Sequence, residues 1–163
     1  MKVLVAYCSR YGTARYCASV IAQRLTAPVD VVDLDATRTI DIAPYGLVVI
    51  GGSVYAGDIE RRIVSFCESH RDQLLQKPLA VYLCCLYQGE RALRQLHAAY
   101  PDWVLAHAFQ AALPGGQLRY AELRWRDRIA VRGIAHAGED VQALKPEALE
   151  ALATAVNGRI GSV

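Results

Sequence analysis

Long apolar runs are missing from this chain. No stretch approaches the roughly 20 consecutive apolar residues of a membrane-spanning helix, and the first one, Val3 to Tyr7, is too short for a signal-peptide core. The expectation is a cytosolic, cytoplasmic protein. Spaced cysteine pairs are missing too. Cys8, Cys17, Cys67, Cys84 and Cys85 form an odd set without C-x-x-C spacing. Four of the five lie in apolar or periodic segments, which points to buried free thiols rather than disulfides or metal. Only the adjacent pair Cys84-Cys85 leaves a redox role open. His70, His97, His107 and His136 have no metal-ligand spacing, so no metal is expected. Strong charge of either sign is absent as well. A net charge of +2 is too slight to argue for nucleic acid. With no internal repeat, low-complexity segment or linker, residues 1–163 read as one domain.

Several binding signatures are also lacking where they would have to stand. A dinucleotide site needs G-x-G-x-x-G after the first strand, and only Gly12 is there. A P-loop needs a lysine where Thr13 follows Gly12. A phospho-receiver needs acidic residues where Tyr7-Cys8-Ser9 stand. Gly51-Gly52-Ser53-Val54-Tyr55 lacks the closing glycine of a hydrolase elbow.

What is present is an alternation of strands and helices. Val3–Tyr7, Val29–Leu34, Leu47–Ile50, Leu79–Leu83 and Val104–Leu113 read as strands, the first and third as apolar runs of the kind covered on both faces. Between them, helical spacing appears from Thr13 (Cys17, Val20, Ile21, Leu25), from Ile59 (Ile63, Phe66, Cys67, Leu74) and over residues 89–100 (Leu93, Leu96). A last helix opens at Pro146 and is expected to stop near Asn157-Gly158. Five strands alternating with helices predict a doubly wound α/β sandwich with a parallel sheet and helices on both faces.

In such a sheet a ligand binds beyond the carboxyl ends of the strands. Three loops stand there. Ser9-Arg10-Tyr11-Gly12-Thr13-Ala14 runs into a helix, and its hydroxyls and backbone N–H groups suit a phosphate, although an ordinary helix cap reads equally well. Gly51-Gly52-Ser53-Val54-Tyr55-Ala56-Gly57 offers glycines for close backbone approach and a tyrosine ring for stacking. Leu86 and Tyr87 belong to the third loop, where ordinary packing of Tyr87 is an equal reading.

On Val3–Gly12, Tyr45–Gly57, Leu113–Gly116 and Trp125–Arg128, the sequence resembles the flavodoxin family, most of all its branch related to the quinone-dependent protoporphyrinogen dehydrogenase. The resemblance implies strand order 2-1-3-4-5 and FMN as cofactor. It places the phosphate on Ser9, Arg10, Tyr11, Gly12 and Thr13, with Ala14 where a threonine is usual, one hydroxyl fewer. It places Ser53, Val54, Tyr55, Ala56 and Gly57 along the isoalloxazine, with Leu86 and Tyr87 beside it. The compact connection between the fourth and fifth strands departs from the longer insertion expected of that branch.

Between Leu113 and Ala137, Arg119, Arg124, Arg126, Arg128 and Arg132 stand against Glu122 and Asp127. If helical, Arg124, Arg128 and Arg132 would share a face. The segment suits an anionic substrate or peripheral contact with an anionic membrane, while a solvated face of Arg–Asp pairs reads equally well. The functional expectation is an FMN-dependent oxidoreductase with a small-molecule or protein redox partner and no assignable catalytic acid or base. The alternatives are a flavodoxin-type electron carrier without its own substrate, and a cofactor-free binding module. Donor, acceptor and oligomeric state stay open.

Overall fold

The computed structural model describes residues 1–55, 58–133 and 138–161. In chain order these form β1 (Val3–Tyr7), α1 (Thr13–Arg24), β2 (Val29–Asp33), β3 (Leu47–Tyr55), β4 (Asp58–Ile59), α2 (Arg61–Ser69), α3 (Arg71–Leu74) and β5 (Leu79–Cys84). Then follow α4 (Gly89–Ala99), α5 (Asp102–His107), β6 (Gln110–Ala112), β7 (Gly115–Leu118), α6 (Trp125–Ala130), β8 (Val141–Leu144) and α7 (Pro146–Ile160). Short 3-10 turns at Tyr120–Glu122 and Val131–Gly133 flank α6.

Five strands pair in parallel in the order β2-β1-β3-β5-β6. Counting only these five, the order is the expected 2-1-3-4-5. Side chains alternate across a strand, and the alternation sorts the core into two layers. Leu4, Ala6, Val48, Ile50, Val81 and Leu83 face the side that carries Ile63, Phe66, Leu74, Leu96 and Val104 from α2 to α5. Val3, Val5, Val49, Ala80 and Tyr82 face the side covered by Cys17 and Ile21 of α1 and by Leu149, Leu152 and Val156 of α7. All of β1 is buried because both layers need it. All five cysteines are buried free thiols.

Several boundaries differ from the sequence reading. The stretch expected as a fifth strand divides: Pro101 leads into α5, which carries Val104, and only Gln110–Ala112 joins the sheet. A short apolar run does not by itself distinguish a strand from one buried helical turn. Ile59 lies not in a helix but in β4, paired antiparallel with Val54 of β3. The helix after it breaks at His70, whose ring Nδ1 lies 3.0 Å from the Phe66 carbonyl oxygen. The final helix continues past Asn157-Gly158 to Ile160. Asn157 ties helices together instead of ending one: its amide N–H donates to the Arg24 carbonyl at 2.9 Å, and its Oδ1 accepts from the Thr26 N–H at 3.0 Å.

Beyond the parallel sheet, β7 and β8 pair antiparallel as a separate ribbon that the sequence reading did not contain. The arginine-rich segment between them is not one helix. It is broken into a 3-10 turn, α6 and a second turn. Arg128 does not join a stripe of free cations: its Nε donates to the Leu123 carbonyl at 3.0 Å and its Nη2 to that of Ala121 at 3.2 Å.

Candidate functional site

The register sets the carboxyl ends of β1, β3 and β5 side by side: Tyr7 pairs with Gly51, Gly51 with Tyr82, and Ser53 with Cys84. A cavity of about 850 Å³ opens there, of the size that holds small-molecule ligands. Its walls include residues of all three expected loops: Tyr11, Gly12 and Thr13; Ser53 and Val54; Leu86 and Tyr87.

In the first loop, Gly12 caps α1 at φ 89, in the left-handed region where a side chain is strained. Gly12 has no side chain with which to cap the first turn of α1, and no acidic residue lies in that turn. The positive end of the helix dipole is therefore not neutralised from within α1. Three residues before Gly12, the Ser9 hydroxyl oxygen is buried without a hydrogen-bond partner among the described residues, although Ser9 is not one of the residues that line the cavity. Leaving such a group unsatisfied costs roughly 1–3 kcal/mol. Thr13 is nearly buried, and its Oγ1 donates to the Gln117 carbonyl across the cavity rim at 3.5 Å.

The remaining first-loop residues have other partners. Arg10 forms ion pairs with Glu60 at 2.9 Å and Asp127 at 3.4 Å. Burial works against its charge, but the two carboxylates outweigh this and leave its pKa raised. The Tyr11 hydroxyl donates to Asp127 and accepts from the Arg124 N–H at 3.1 Å. Ala14 is fully buried, and its carbonyl accepts from the Tyr82 hydroxyl at 2.8 Å.

The second loop is largely a continuation of β3. Gly51 and Gly52 are core positions rather than places where backbone meets a ligand. A Cβ on Gly51 would stand 1.7 Å from the Tyr82 ring, and one on Gly52 would stand 2.9 Å from Ile59. Ser53 follows them into the cavity, 3% exposed, with its hydroxyl unpartnered among the described residues. The Tyr55 backbone ends β3; its ring, together with Ala56 and Gly57, lies outside the described residues. In the third loop, Tyr87 has the Arg91 guanidinium 5.6 Å from its ring centroid.

Cys84 and Cys85 also line the cavity. The Cys84 Sγ lies 3.6 Å from that of Cys17. That contact and complete burial push the Cys84 thiol well above its usual range, and burial pushes up Cys85. Both are held as neutral thiols, the form unsuited to nucleophilic attack.

Tyr16, Gln95, Gln117, Leu118 and Gln142 also line the cavity and were not singled out from sequence; Asp127 lines it too and was named only for its charge and within the Trp125–Arg128 match. Tyr16 had a usable signal: it stands one helical turn past Gly12, on the face that follows the loop. β7 and α6 had a signal only through the family resemblance, on Leu113–Gly116 and Trp125–Arg128, and no local pattern placed them or β8 at the cavity. Gln95 Oε1 is a third buried polar side-chain atom without a partner among the described residues.

An uncapped helix terminus with a free hydroxyl fits a phosphate group. A cavity lined by two further polar atoms without partners among the described residues, Ser53 Oγ and Gln95 Oε1, fits a heteroaromatic ring system that hydrogen-bonds at its edge. FMN combines the two.

A family model described as a flavodoxin domain matches residues 4–144. No curated protein matches the chain. Among solved structures, it is similar to a short-chain flavodoxin associated with a non-canonical PDU bacterial microcompartment, with TM-score 0.61, 16% identity, and coverage of 99% of this chain and 98% of that one. It is also similar to the Fusobacterium nucleatum flavodoxin bound to flavin mononucleotide, with TM-score 0.57, 10% identity, and coverage of 97% and 98%. Against rubredoxin oxygen:oxidoreductase of Desulfovibrio gigas the TM-score is 0.56 at 14% identity; the match covers 98% of this chain but only 37% of that much longer one. At these identities the structures speak for the fold, and the family match carries the assignment. The chain belongs to the flavodoxin domain family, whose cofactor is FMN.

Proposed function

We propose that this protein is an FMN-dependent oxidoreductase that passes electrons or hydrogen from a reduced donor to an acceptor such as a quinone, with a protoporphyrinogen dehydrogenase-like activity as one candidate. The observation that carries this reading is the make-up of the cavity wall. Residues of β7, β8 and the 119–131 segment line it together with the loop after β1 and the ends of β3 and β5, so the sheet edge is walled on a further side. Bound FMN supplies the redox chemistry. The protein binds the cofactor, orients it and sets its electrostatics.

In this reading the N–H groups at the start of α1 and the Ser9 and Thr13 hydroxyls hold the phosphate. Arg10 and Tyr11 brace the loop through Glu60 and Asp127 instead of facing the anion. Ser53, Val54, Leu86 and Tyr87 border the ring, and Gln95 accepts a hydrogen bond from its polar edge. Tyr55, Ala56 and Gly57 keep the places along the ring that the family resemblance gives them.

A peripheral contact of the 119–132 segment with the cytoplasmic face of an anionic membrane, where a quinone would be met, has support from α6. Trp125 and Ile129 are 67% and 54% exposed, one helical turn apart. Flotation with phosphatidylglycerol vesicles tests this contact directly.

The deciding experiment is a visible spectrum after reconstitution with FMN. Flavin bands are expected, and Gly12→Val should abolish them while leaving far-ultraviolet circular dichroism intact, because the strain falls on the loop alone. A colourless wild-type protein would sink the proposal. Turnover of a quinone by the purified holoprotein separates an enzyme from a carrier; a long-lived one-electron state without turnover would favour the carrier.

A further inference from the structure

A half-open groove of about 920 Å³ lies between the start of α2 and α6, with the Arg10–Asp127 ion pair in its wall. It is lined by Arg10, Arg61, Arg62, Arg124 and Arg126, together with Glu60, Asp127, Ile59, Ser65 and Trp125. Five guanidiniums face two carboxylates, an excess of three positive charges in one groove, more than the +2 of the whole chain.

The two carboxylates are already engaged, since both Glu60 and Asp127 pair with Arg10. Arg62 spends its donors on the Leu34 and Thr37 carbonyls, at 3.0 and 2.8 Å, which leaves its charge unneutralised. Among the described residues, Arg61, Arg124 and Arg126 have no ion-pair partner. The first turn of α2 carries two arginines and no acidic residue; the carboxylate at its N-cap, Glu60, is shared with Arg10. Cations at the positive end of a helix oppose its stability, and an anion bound between them relieves that opposition.

We infer that this groove is a binding site for a phosphorylated small molecule with an aromatic base, of the nucleoside diphosphate class. The guanidinium fork matches phosphate oxygens in pairs, and the concave shape suits a small molecule better than a flat protein surface. The exposed Trp125 ring at one wall gives the base a stacking partner; Arg126 lies 5.2 Å from its centroid, so a stacked base would also meet a cation. The inference stands apart from the flavin reading, because Asp127 alone among the groove's lining residues also lines the larger cavity.

The test is calorimetric titration of the FMN-treated protein with ADP and, separately, with pyrophosphate. Both are expected to bind saturably and to weaken with added salt. Arg61→Gln and Arg126→Gln should each weaken both ligands about tenfold, while Trp125→Leu should weaken ADP and spare pyrophosphate. The flavin spectrum, recorded on the same samples, reports independently on the larger cavity and on folding. Absence of saturable binding overturns the inference, as does ADP binding indifferent to both arginine substitutions. Binding to phosphatidylglycerol vesicles with no response to ADP or pyrophosphate overturns it too and assigns the charge to a membrane.

Discussion

Tyr45 and Cys67 are two of several buried phenols and thiols that tie this fold to alkaline pH. The Tyr45 hydroxyl donates to Asp30 at 2.7 Å; that bond, with burial behind it, pushes the phenol up to about 12. Burial, with Glu68 nearby, pushes the Cys67 thiol up to about 12. A raised folded-state pKa means the native state holds the proton more tightly than the unfolded chain does. The stabilisation is complete below the unfolded values near 9 for the thiol and 10 for the phenol, and is lost as pH climbs toward 12. Thermal unfolding followed by circular dichroism should therefore give a Tm that falls steadily between pH 9 and 12. Tyr45→Phe should flatten the upper part of that fall, because it removes the titrating group. A Tm independent of pH across this window would contradict the assignment. At this scale the sequence was informative about loops and misleading about glycines. Gly12 was legible because a lone glycine before a helix has few other uses. Gly51 and Gly52 looked like ligand contacts, yet their missing Cβ atoms make room for Tyr82 and Ile59, neighbours that only pairing of β3 with β5 and β4 brings close.

The elements differ in how much of their identity is local. β1, α1 and β5 begin where the residue pattern changes period, so their sequence marks them. The run from Val104 to Leu113 carries the same apolar signal for one buried helical turn and for one edge strand, and only packing against Leu79 and its neighbours separates α5 from β6. α6 depends most on its surroundings. It is 6 residues long, well below the length at which a helix holds in water by itself. Its anchor is Asp127, 5% exposed, which receives the Tyr11 hydroxyl and the Arg10 guanidinium from the first loop. Asp127→Ala should release the segment, with a loss of about 2–3 kcal/mol in local stability for the charge-assisted contacts. Limited trypsin digestion reads this out: cleavage at Arg124, Arg126 or Arg128 is expected to accelerate at least tenfold while cleavage elsewhere is unchanged. Unaltered cleavage would mean that β7 and β8 hold the segment without Asp127.

For the whole molecule the governing fact is a sheet that buries two separate layers. Leu83 belongs to the layer under α2 to α5, Leu152 to the layer under α7, and both are fully buried. Leu83→Ala and Leu152→Ala should each cost about 2–5 kcal/mol in urea unfolding, and together they should sum to within about 0.5 kcal/mol, since the sheet keeps the two cavities apart. A marked departure from additivity would mean that the layers communicate through the sheet.

Sequence alone determined the α/β class, the strand count in the parallel sheet, and which loops lie at its carboxyl edge. Those features follow from hydrophobic period and from the handedness of β-α-β crossovers, and both act over a few tens of residues. Tertiary structure decided the rest. It brought β7, α6 and β8 to the wall of the cavity as a ribbon and a short helix, paired Arg10 with Glu60 and Asp127, and gathered arginines from α2 and α6 into one groove. These arrangements join residues up to 117 positions apart. No local pattern encodes them, because their stability comes from burial and charge pairing that exist only after the sheet has formed.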